Sequence, residues 1–193
     1  MIGIRDARKT QLQDFYKQNE NNLKTLSESK MTVVAAREFI KNFHELGEDT
    51  VRNLCIFNNP NPVGQKLNLD YASDSSNYSK THKIYHPVFR KYLNTFGYYD
   101  IYIVDTETGH IVYTVFKEDD FGTSLADGKY NNTNIADNYR SANKSAVPDY
   151  TALTDMEPYE PSSGAPAAFI STPIFDGSKK IGVLVDDKNF SDF

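Results

Sequence analysis

The hydrophobic periodicity of this chain changes once, at Gly97, and that change limits the folds that are open to it. Before Gly97, apolar residues recur every three or four positions, as on an amphipathic helix. After Gly97 they alternate with polar residues or form short β-branched and aromatic runs, which is typical of strands. Helices that precede strands in this way predict an α+β fold with an antiparallel sheet.

The N-terminal half predicts three helices. The first carries a heptad-like seam of Leu12, Tyr16, Asn19, Leu23, Leu26, Lys30 and Val33. Thr32 is the expected cap of a second helix that ends at Gly47, and a third helix is expected over 78–96, where Pro87 would bend it or mark its first turn. The seam leaves two interpretations open: a stripe that packs on the core of this chain, or a signalling helix that pairs with a second subunit.

The C-terminal half predicts two hairpins and a long connection between them. The strands are expected at 99–105, 110–117, 167–172 and 181–185. The connection at 118–164 is polar, and it predicts one short helix at 134–142. Connections of this length in a compact domain usually carry function or cover a site.

Composition narrows the class of protein. A length of 193 residues suits one domain, and 39% hydrophobic with 24% charged residues is typical of a globular chain. The net charge is −5, and residues 101–193 contain 15 acidic against 7 basic side chains, so a nucleic-acid partner is not expected. Cys55 is the only cysteine, which excludes an intramolecular disulfide and a cysteine-based zinc site.

Motifs of catalysis are missing from the sequence. It contains no phosphate-binding glycine loop, no dinucleotide fingerprint and no nucleophile elbow, so we expect neither an enzyme nor a bound cofactor. His82 and His86 have a spacing that suits metal ligands, but the favoured interpretation is one histidine beneath the sheet and one at the surface. The acidic run 118–120 is interpreted as a solvated strand end rather than as a cation site.

Binding chemistry is better represented than catalysis. Alternation along 110–117 predicts that Tyr113 and Lys117 project from the same, otherwise apolar face, which suits a small organic anion. The competing interpretation leaves Lys117 in water at the strand end and Tyr113 in the core. The full set of candidate ligand-binding residues is Arg90, Tyr98, Asp100, Tyr113, Lys117, Tyr159, Phe169 and Ser171.

Six stretches of the chain, in order, carry a family resemblance. They are NPNPVGQK at 59–66, YHPVFRKYL at 85–93, FGYYDIYIVD at 96–105, IVYTVFKE at 111–118, DFGTSL at 120–125 and YEPSSGAPAAFI at 159–170. Together they resemble the periplasmic sensor region of bacterial methyl-accepting chemotaxis proteins, which has a Cache-type, PAS-like fold.

The resemblance implies a receptor organisation. A membrane-proximal helical segment at 1–50 would form a homodimer, 51–185 would bind a small metabolite, and 186–193 would lead toward a second membrane helix. The domain would be periplasmic and anchored to the membrane in the full receptor, and its ligand would be a small carboxylate or an amino acid. Cache pockets accept several metabolite classes, so the resemblance names no single ligand.

Two departures from the family pattern bear on these expectations. Residues 186–193 replace the usual Gln-containing continuation, and Asp155-Met156 replaces an Asp-Phe pair before the Tyr-x-Pro-Ser block. Two further functions stay open. One is an interaction module that binds no small molecule and instead recognises a periplasmic partner protein or serves as a dimeric spacer, and a pocket too small for a ligand would favour it. The other is the input domain of a cyclase or a histidine kinase.

Overall fold

The computed structural model describes residues 2–188, and it describes the side chains of residues 8–187. Five α-helices and six β-strands follow one another in an order that confirms the predicted α+β fold. Of the tail expected at 186–193, residues 189–193 lie outside the described part of the chain.

Four of the five α-helices lie in the N-terminal half, and the fifth lies within the 118–164 connection. They are α1 (Ile2–Glu28), α2 (Lys30–Leu46), α3 (Glu48–Arg52), which continues into a π-helical turn (Asn53–Phe57), α4 (Asn77–Phe96) and α5 (Asn134–Lys144). The expectation that Thr32 caps α2 was wrong. Ser29 is the cap, because its side chain accepts a hydrogen bond from the Thr32 backbone N–H at 3.1 Å. The heptad-like seam is therefore divided between two helices.

The strands form one antiparallel sheet. They are β1 (Asp100–Asp105), β2 (Ile111–Thr114), β3 (Ala152–Leu153), β4 (Glu157–Tyr159), β5 (Ala165–Asp176) and β6 (Lys179–Lys188). The order across the sheet is β2-β1-β6-β5-β3, and β4 also pairs with β5. The strand pattern was expected to stop at Val185, but β6 continues through Asp186 and Asp187, which pair with Ile101 and Asp100 of β1.

The second strand is shorter than its sequence predicts. Its apolar pattern extends to residue 117, whereas β2 ends at Thr114. The reason is Asp100, whose carboxylate accepts hydrogen bonds from the backbone N–H groups of Val115 and Phe116, both at 2.9 Å. The N–H of Val115 still donates to the carbonyl oxygen of Ile101 at 3.1 Å, so the departure from β1 begins at Phe116, and Lys117 then adopts a positive φ of 66°.

The two faces of the sheet have different coverings. Asp100, Tyr102 and Asp187 lie on the face that α5 and the 118–164 connection cover, which we call the loop face. Tyr113 lies on the opposite face, where it stacks on Phe39 of α2 at 4.4 Å between ring centroids. We call that side, which α1, α2 and α4 cover, the helix face. Each face is thus the floor of a separate buried region.

No helix within residues 2–188 is long and apolar enough to cross a membrane.

Candidate functional site

Carboxylates gather on the loop face at one end of the sheet. Asp100 of β1 and Asp187 of β6 are cross-strand partners, and Glu118 and Asp120 follow β2. Asp100 and Asp120 have no exposed surface, and Asp187 is 2% exposed. We call these four carboxylates, together with the buried phenols of Tyr102 and Tyr159, the acidic chamber. Among residues 8–187, no lysine or arginine forms an ion pair with any of the four carboxylates.

Asp100 is fully satisfied by its surroundings. Besides the two N–H groups beyond β2, its Oδ1 accepts the N–H of Ile101 at 2.6 Å. Its Oδ2 accepts the hydroxyl of Thr114 at 2.5 Å. Four donors around one carboxylate make Asp100 a structural member of the chamber that holds the segment after β2 in place.

Asp120 and Tyr102, in contrast, keep unused hydrogen-bonding capacity. Asp120 Oδ2 accepts the hydroxyl of Tyr159 at 2.6 Å, but Oδ1 has no hydrogen-bond partner among the described residues. The hydroxyl of Tyr102 also lacks one there, although the side chain is completely buried. Leaving a buried polar group without a partner costs about 1–3 kcal/mol, more for a charge. These two atoms are therefore where a ligand can supply the missing partners.

The raised pKa values of two carboxylates also indicate that the acidic chamber lacks a positive charge. Burial, reinforced by the neighbouring carboxylates, raises the pKa of Asp187 to about 8. Burial also raises the pKa of Asp120 to about 7, although the hydrogen bond from Tyr159 opposes the rise. Removing carboxylates from water without a counter-charge disfavours their ionised form. A cation that entered the chamber would stabilise the ionised carboxylates and so lower the pKa values of Asp187 and Asp120.

Two spaces adjoin the chamber. An inner cavity of about 70 Å³ is lined by Tyr99, Ser162, Ala165, Pro166, Ala167 and Asp187. An outer cleft of about 380 Å³ is lined by Val63, Gly64, Lys66, Tyr99, Phe116, Lys117, Glu118, Asp119, Glu160, Pro161, Ser162 and Ser163. Tyr99 and Ser162 belong to both linings, so these side chains form the boundary between cavity and cleft.

Glu118 joins the two boundary side chains. The hydroxyl of Tyr99 donates to Glu118 Oε1 at 2.7 Å, and the hydroxyl of Ser162 donates to Oε2 at 2.6 Å. Tyr99 also stacks on Phe116 at 4.7 Å between ring centroids. We call these two hydrogen bonds the Glu118 bridge. It connects the start of β1, the segment after β2 and the turn before β5.

Lys117 lies on the other side of the sheet, although Glu118 follows it directly. Its side chain is 1% exposed, and its Nζ is 3.0 Å from the carbonyl oxygen of Val115. The same Nζ lies 3.3 Å and 3.4 Å from the two ring nitrogens of His86 of α4. The segment after β2 thus places consecutive side chains on opposite faces of the sheet.

The eight candidate residues of the sequence analysis divide between the two faces. Those on the loop face are Asp100, Tyr159, Phe169 and Ser171, and those on the helix face are Arg90, Tyr98, Tyr113 and Lys117. Arg90 is held by Asp70 at 2.8 Å and by the Leu67 carbonyl oxygen at 2.8 Å. The structure does not bring Arg90, Lys117, Tyr113 and Tyr159 around one space. Which of the eight contact a ligand stays a prediction.

Two interpretations of polar residues need correction. In the run 118–120 only Asp119 is exposed, because the turn after β2 directs Asp120 into the protein. His82 and His86 are both buried and stack at 4.2 Å between ring centroids, so neither lies at the surface. Within residues 8–187, no group of three histidine, cysteine or acidic side chains is arranged to hold a metal ion.

The sequence analysis missed Tyr102, Asp120 and Asp187 as members of the site. Tyr102 looks like one more aromatic residue of an apolar strand, and Asp187 was taken to lie beyond the end of its strand. A signal was available for Asp187: it follows a buried apolar run without an intervening turn residue. Asp120 gave no such signal, since its neighbours Asp119 and Glu118 suggest a solvated surface.

No protein-family model and no curated protein matches this sequence. Solved structures do match. The sensor domain of the histidine kinase DctB from V. cholerae is 14% identical, with a TM-score of 0.45, over 94% of this chain and 58% of that chain. The ligand-binding domain of the chemoreceptor Tlp3 from Campylobacter jejuni in complex with L-valine is 17% identical, with a TM-score of 0.42, over 93% and 63% of the two chains.

A third match is the ligand-binding domain of the chemoreceptor CtaA from Pseudomonas fluorescens in complex with L-serine. It is 17% identical, with a TM-score of 0.38, over 80% of this chain and 54% of that chain. This chain therefore spans about three fifths of the length of the solved chains that it matches. All three are sensor or ligand-binding domains, the class that the sequence motifs resemble.

Proposed function

We propose that this chain is the extracytoplasmic sensor domain of a bacterial chemotaxis receptor and that it binds a small metabolite without transforming it. We propose further that the metabolite carries an ammonium group, as an amino acid does, and that the acidic chamber receives this group. The six motif stretches support the receptor class. The acidic chamber supports the ligand class.

The observation that carries the ligand class is the pair of unused buried atoms, Asp120 Oδ1 and Tyr102 Oη. An ammonium group has three donors and one positive charge. It can donate to both oxygens, and its positive charge would favour the ionised forms of Asp120 and Asp187. An anionic ligand would meet no lysine or arginine paired with these carboxylates among residues 8–187, and its charge would disfavour their ionisation further.

The volumes of the inner cavity and the outer cleft indicate where a ligand would bind. A cavity needs a volume of at least roughly 10–15 Å³ to hold one water molecule. The inner cavity of 70 Å³ therefore holds only a few water molecules. Ligand pockets usually measure about 300–1,000 Å³, and the outer cleft of 380 Å³ lies within that range. We propose that the ligand occupies the cleft and that its ammonium group reaches the chamber when the Glu118 bridge opens.

The second candidate is an interaction module that recognises a protein partner and binds no metabolite. The small inner cavity favours it, because side chains of the chain itself fill the region between sheet and connection. The unpartnered chamber atoms favour the first candidate. A ligand screen separates the two.

Membrane anchoring and dimerisation through the N-terminal helix also belong to the proposal. The two ends of the α1 seam differ in burial. Leu23 and Leu26 are buried within this chain, whereas Leu12 is 39% exposed. A dimer through α1 would therefore use the N-terminal part of the seam around Leu12. The type of cytoplasmic output, chemotaxis signalling domain, cyclase or kinase, does not follow from these residues.

The test is a thermal-shift titration of the purified domain with L-alanine, γ-aminobutyrate, ethanolamine and succinate. A ligand at 100 times its Kd stabilises the native state by about 2.7 kcal/mol. For a domain of this length that corresponds to a rise in Tm of roughly 5–10 °C. We expect a concentration-dependent rise with at least one ammonium compound and none with succinate, which has no ammonium group.

Asp120→Asn keeps the shape of the side chain and removes its charge, so it should weaken the binding of that ammonium compound about tenfold or more. The matched control is Asp149→Asn, which removes the same charge from an exposed position in the 118–164 connection and should bind normally. Stabilisation by succinate alone would contradict the ligand class. No stabilisation by any of the four compounds at millimolar concentration would favour the interaction module.

A further inference from the structure

Lys117 is a buried lysine without a charged partner. Its side chain is 1% exposed, and among the described residues no carboxylate lies within ion-pairing distance of its Nζ. Its backbone has a φ of 66°, and its N–H donates to the hydroxyl of Thr114 at 3.0 Å. A buried ammonium group without a counter-charge is among the costliest arrangements in a protein interior. The position therefore calls for an explanation other than packing.

The contacts of the Nζ favour the neutral amine. His86 Nε2 lies 2.6 Å from the carbonyl oxygen of Leu67, so it carries the proton and donates it. His86 Nδ1 then accepts the hydroxyl of Tyr113 at 2.8 Å. Both ring nitrogens are occupied, and the nearly equal distances of 3.3 Å and 3.4 Å place the Nζ against the ring. Among the described residues, the carbonyl oxygen of Val115 remains as its one good acceptor, while an ammonium group has three donors.

Every element packed around Lys117 contributes ionisable groups, and none of them balances its charge. These groups are Cys55 of the π-helical turn, Asp70, His82, His86 and Arg90 on and before α4, Asp100 of β1 and Tyr113 of β2. Burial raises the pKa of the Cys55 thiol to about 12, so this group stays neutral. Asp70 is paired with Arg90, and the carboxylate of Asp100 is occupied by four donors.

The outer cleft lies next to the buried amine and differs from it in environment. Lys117 itself lines the outer cleft, whose other lining residues include three acidic side chains. Glu118 is engaged in the Glu118 bridge, and Glu160 is paired with Lys129. Asp119 is exposed and forms no ion pair among the described residues. The cleft therefore offers water and a carboxylate to the same side chain that lacks both inside the protein.

We infer that Lys117 is a proton-driven switch with two positions. As a neutral amine it packs against His86 on the helix face, and as an ammonium ion it moves into the outer cleft beside Asp119. The proton comes from solvent and returns to it. This inference does not depend on the proposed ligand.

The expected range of the switch is physiological. Burial lowers the pKa of Lys117 from its usual 10.5 to about 7 in the position that the structure shows. Movement of Lys117 would remove a contact between the sheet and α4. Helix α4 in turn contacts α1, since the hydroxyl of Tyr92 donates to the carbonyl oxygen of Asn22 at 3.0 Å. A change of pH would thus reach the N-terminal helix.

NMR spectroscopy of the domain with ¹³C-labelled lysine tests the inference directly. We expect one lysine side chain to titrate several pH units below the others, which titrate near 10.4. We also expect nuclear Overhauser contacts between Lys117 and the His86 ring above its midpoint and none below it. Sequential assignment of the wild-type protein identifies the signal without any variant, and Lys117→Met should remove it.

Two further variants sharpen the result. Asp119→Asn should move the Lys117 midpoint to lower pH, because it weakens the position of the ammonium ion in the cleft. Lys66→Met, which removes another amine from the same cleft, should leave the contact with His86 unchanged at high pH. Titration of Lys117 above pH 9.5 would overturn the inference, and so would a contact with His86 that persists through the midpoint.

Discussion

The loop face and the helix face of the sheet both bury ionisable side chains, but in different combinations. The loop face holds the four carboxylates of the acidic chamber, whereas the helix face holds the bases Lys117, His82 and His86 as well as the carboxylates Asp105 and Asp186. Only a single layer of strands separates them. The comparison teaches that the buried bases of the described residues share one face of the sheet, and the segment after β2 is the place where the two regions meet.

The same comparison can be made within the acidic chamber. Asp100 and Asp187 are directly opposite each other on neighbouring strands, and both are buried. Four donors satisfy Asp100, whereas among the described residues the side chain of Asp187 accepts no hydrogen bond. Burial alone therefore does not mark a binding residue. A buried carboxylate that the protein leaves without donors is the better candidate.

The largest expected effect on the free energy of unfolding comes from replacing Asp100, the structural member of this pair of carboxylates. Asp100→Ala leaves the N–H group of Phe116 and the hydroxyl of Thr114 without their acceptor, whereas the N–H of Val115 keeps the carbonyl oxygen of Ile101 at 3.1 Å. Each such buried donor costs about 1–3 kcal/mol. We expect a loss of roughly 3–5 kcal/mol in the free energy of unfolding, measured by urea denaturation. Asp187→Ala, the matched variant across the strand pair, leaves no donor without its acceptor and removes a carboxylate whose ionised form burial disfavours, so it should not lower the free energy of unfolding.

Equal destabilisation by the two variants would contradict the division into a structural and a binding carboxylate. The denaturant slope should be compared at the same time. An unchanged slope means that the variants alter stability rather than the compactness of either state.

The fold was predictable from the sequence because it follows from local patterns. The change of period at Gly97, the turn residues and the alternating strands predicted the fold class and its longer helices and strands, whereas the short elements α3, β3 and β4 were not predicted. The length of β2 was not predictable. Its apolar alternation continues to Lys117, but a carboxylate from the neighbouring strand, Asp100, accepts the backbone N–H of Phe116 and shares that of Val115 with the carbonyl oxygen of Ile101. A competition of this kind depends on tertiary structure, and a single strand's pattern cannot show it.

The candidate site was predictable only in part, for the same reason. Tyr159 and Asp100 were recognised as candidates and lie in the acidic chamber. Lys117 was expected on the face of Tyr113 by strict alternation, and it does reach that side, but through a backbone with positive φ rather than as part of a strand. The sequence analysis assigned Lys117 and Arg90 to an anionic ligand, and that assignment stays a prediction beside our proposal of an ammonium group in the acidic chamber.

The second prediction sharpens the comparison of the faces through opposite responses to pH. The folded-state pKa of Asp187, about 8, lies above its usual 3.8, so the folded state holds the extra proton between these values. Asp187→Asn should therefore stabilise most above pH 8, and the gain should fade as pH falls toward 4. For Lys117 the folded pKa of about 7 lies below the usual 10.5, so the unfolded state holds the extra proton.

Lys117→Met should accordingly stabilise most below pH 7, and its gain should fade as pH rises toward 10. Each gain should reach about 2 kcal/mol, since one pKa unit corresponds to about 1.4 kcal/mol and each variant also loses some contacts. Urea denaturation at pH 5.5, 7 and 8.5 gives the two slopes. Slopes of the same sign would contradict the burial of an acid at Asp187 and of a base at Lys117.

The smallest expected effect concerns the Glu118 bridge, which separates the inner cavity from the outer cleft. Ser162→Ala removes one of the two hydroxyls that hold the Glu118 carboxylate. One such hydrogen bond contributes about 1 kcal/mol, so the population of open bridges should rise roughly fivefold. Hydrogen exchange followed by mass spectrometry should show this increase in the peptide 160–167 and no change in α5.

Ser145→Ala serves as the control, because its hydroxyl contacts the backbone of Val147 in the same connection, away from the bridge. Tyr99→Phe removes the other hydroxyl and should give an increase of similar size in the same peptide. The double variant should exchange faster than either single variant, because both hydroxyls hold one carboxylate. Unchanged exchange in all three would mean that the bridge is no barrier, and the ligand would then need another route from the cleft into the acidic chamber.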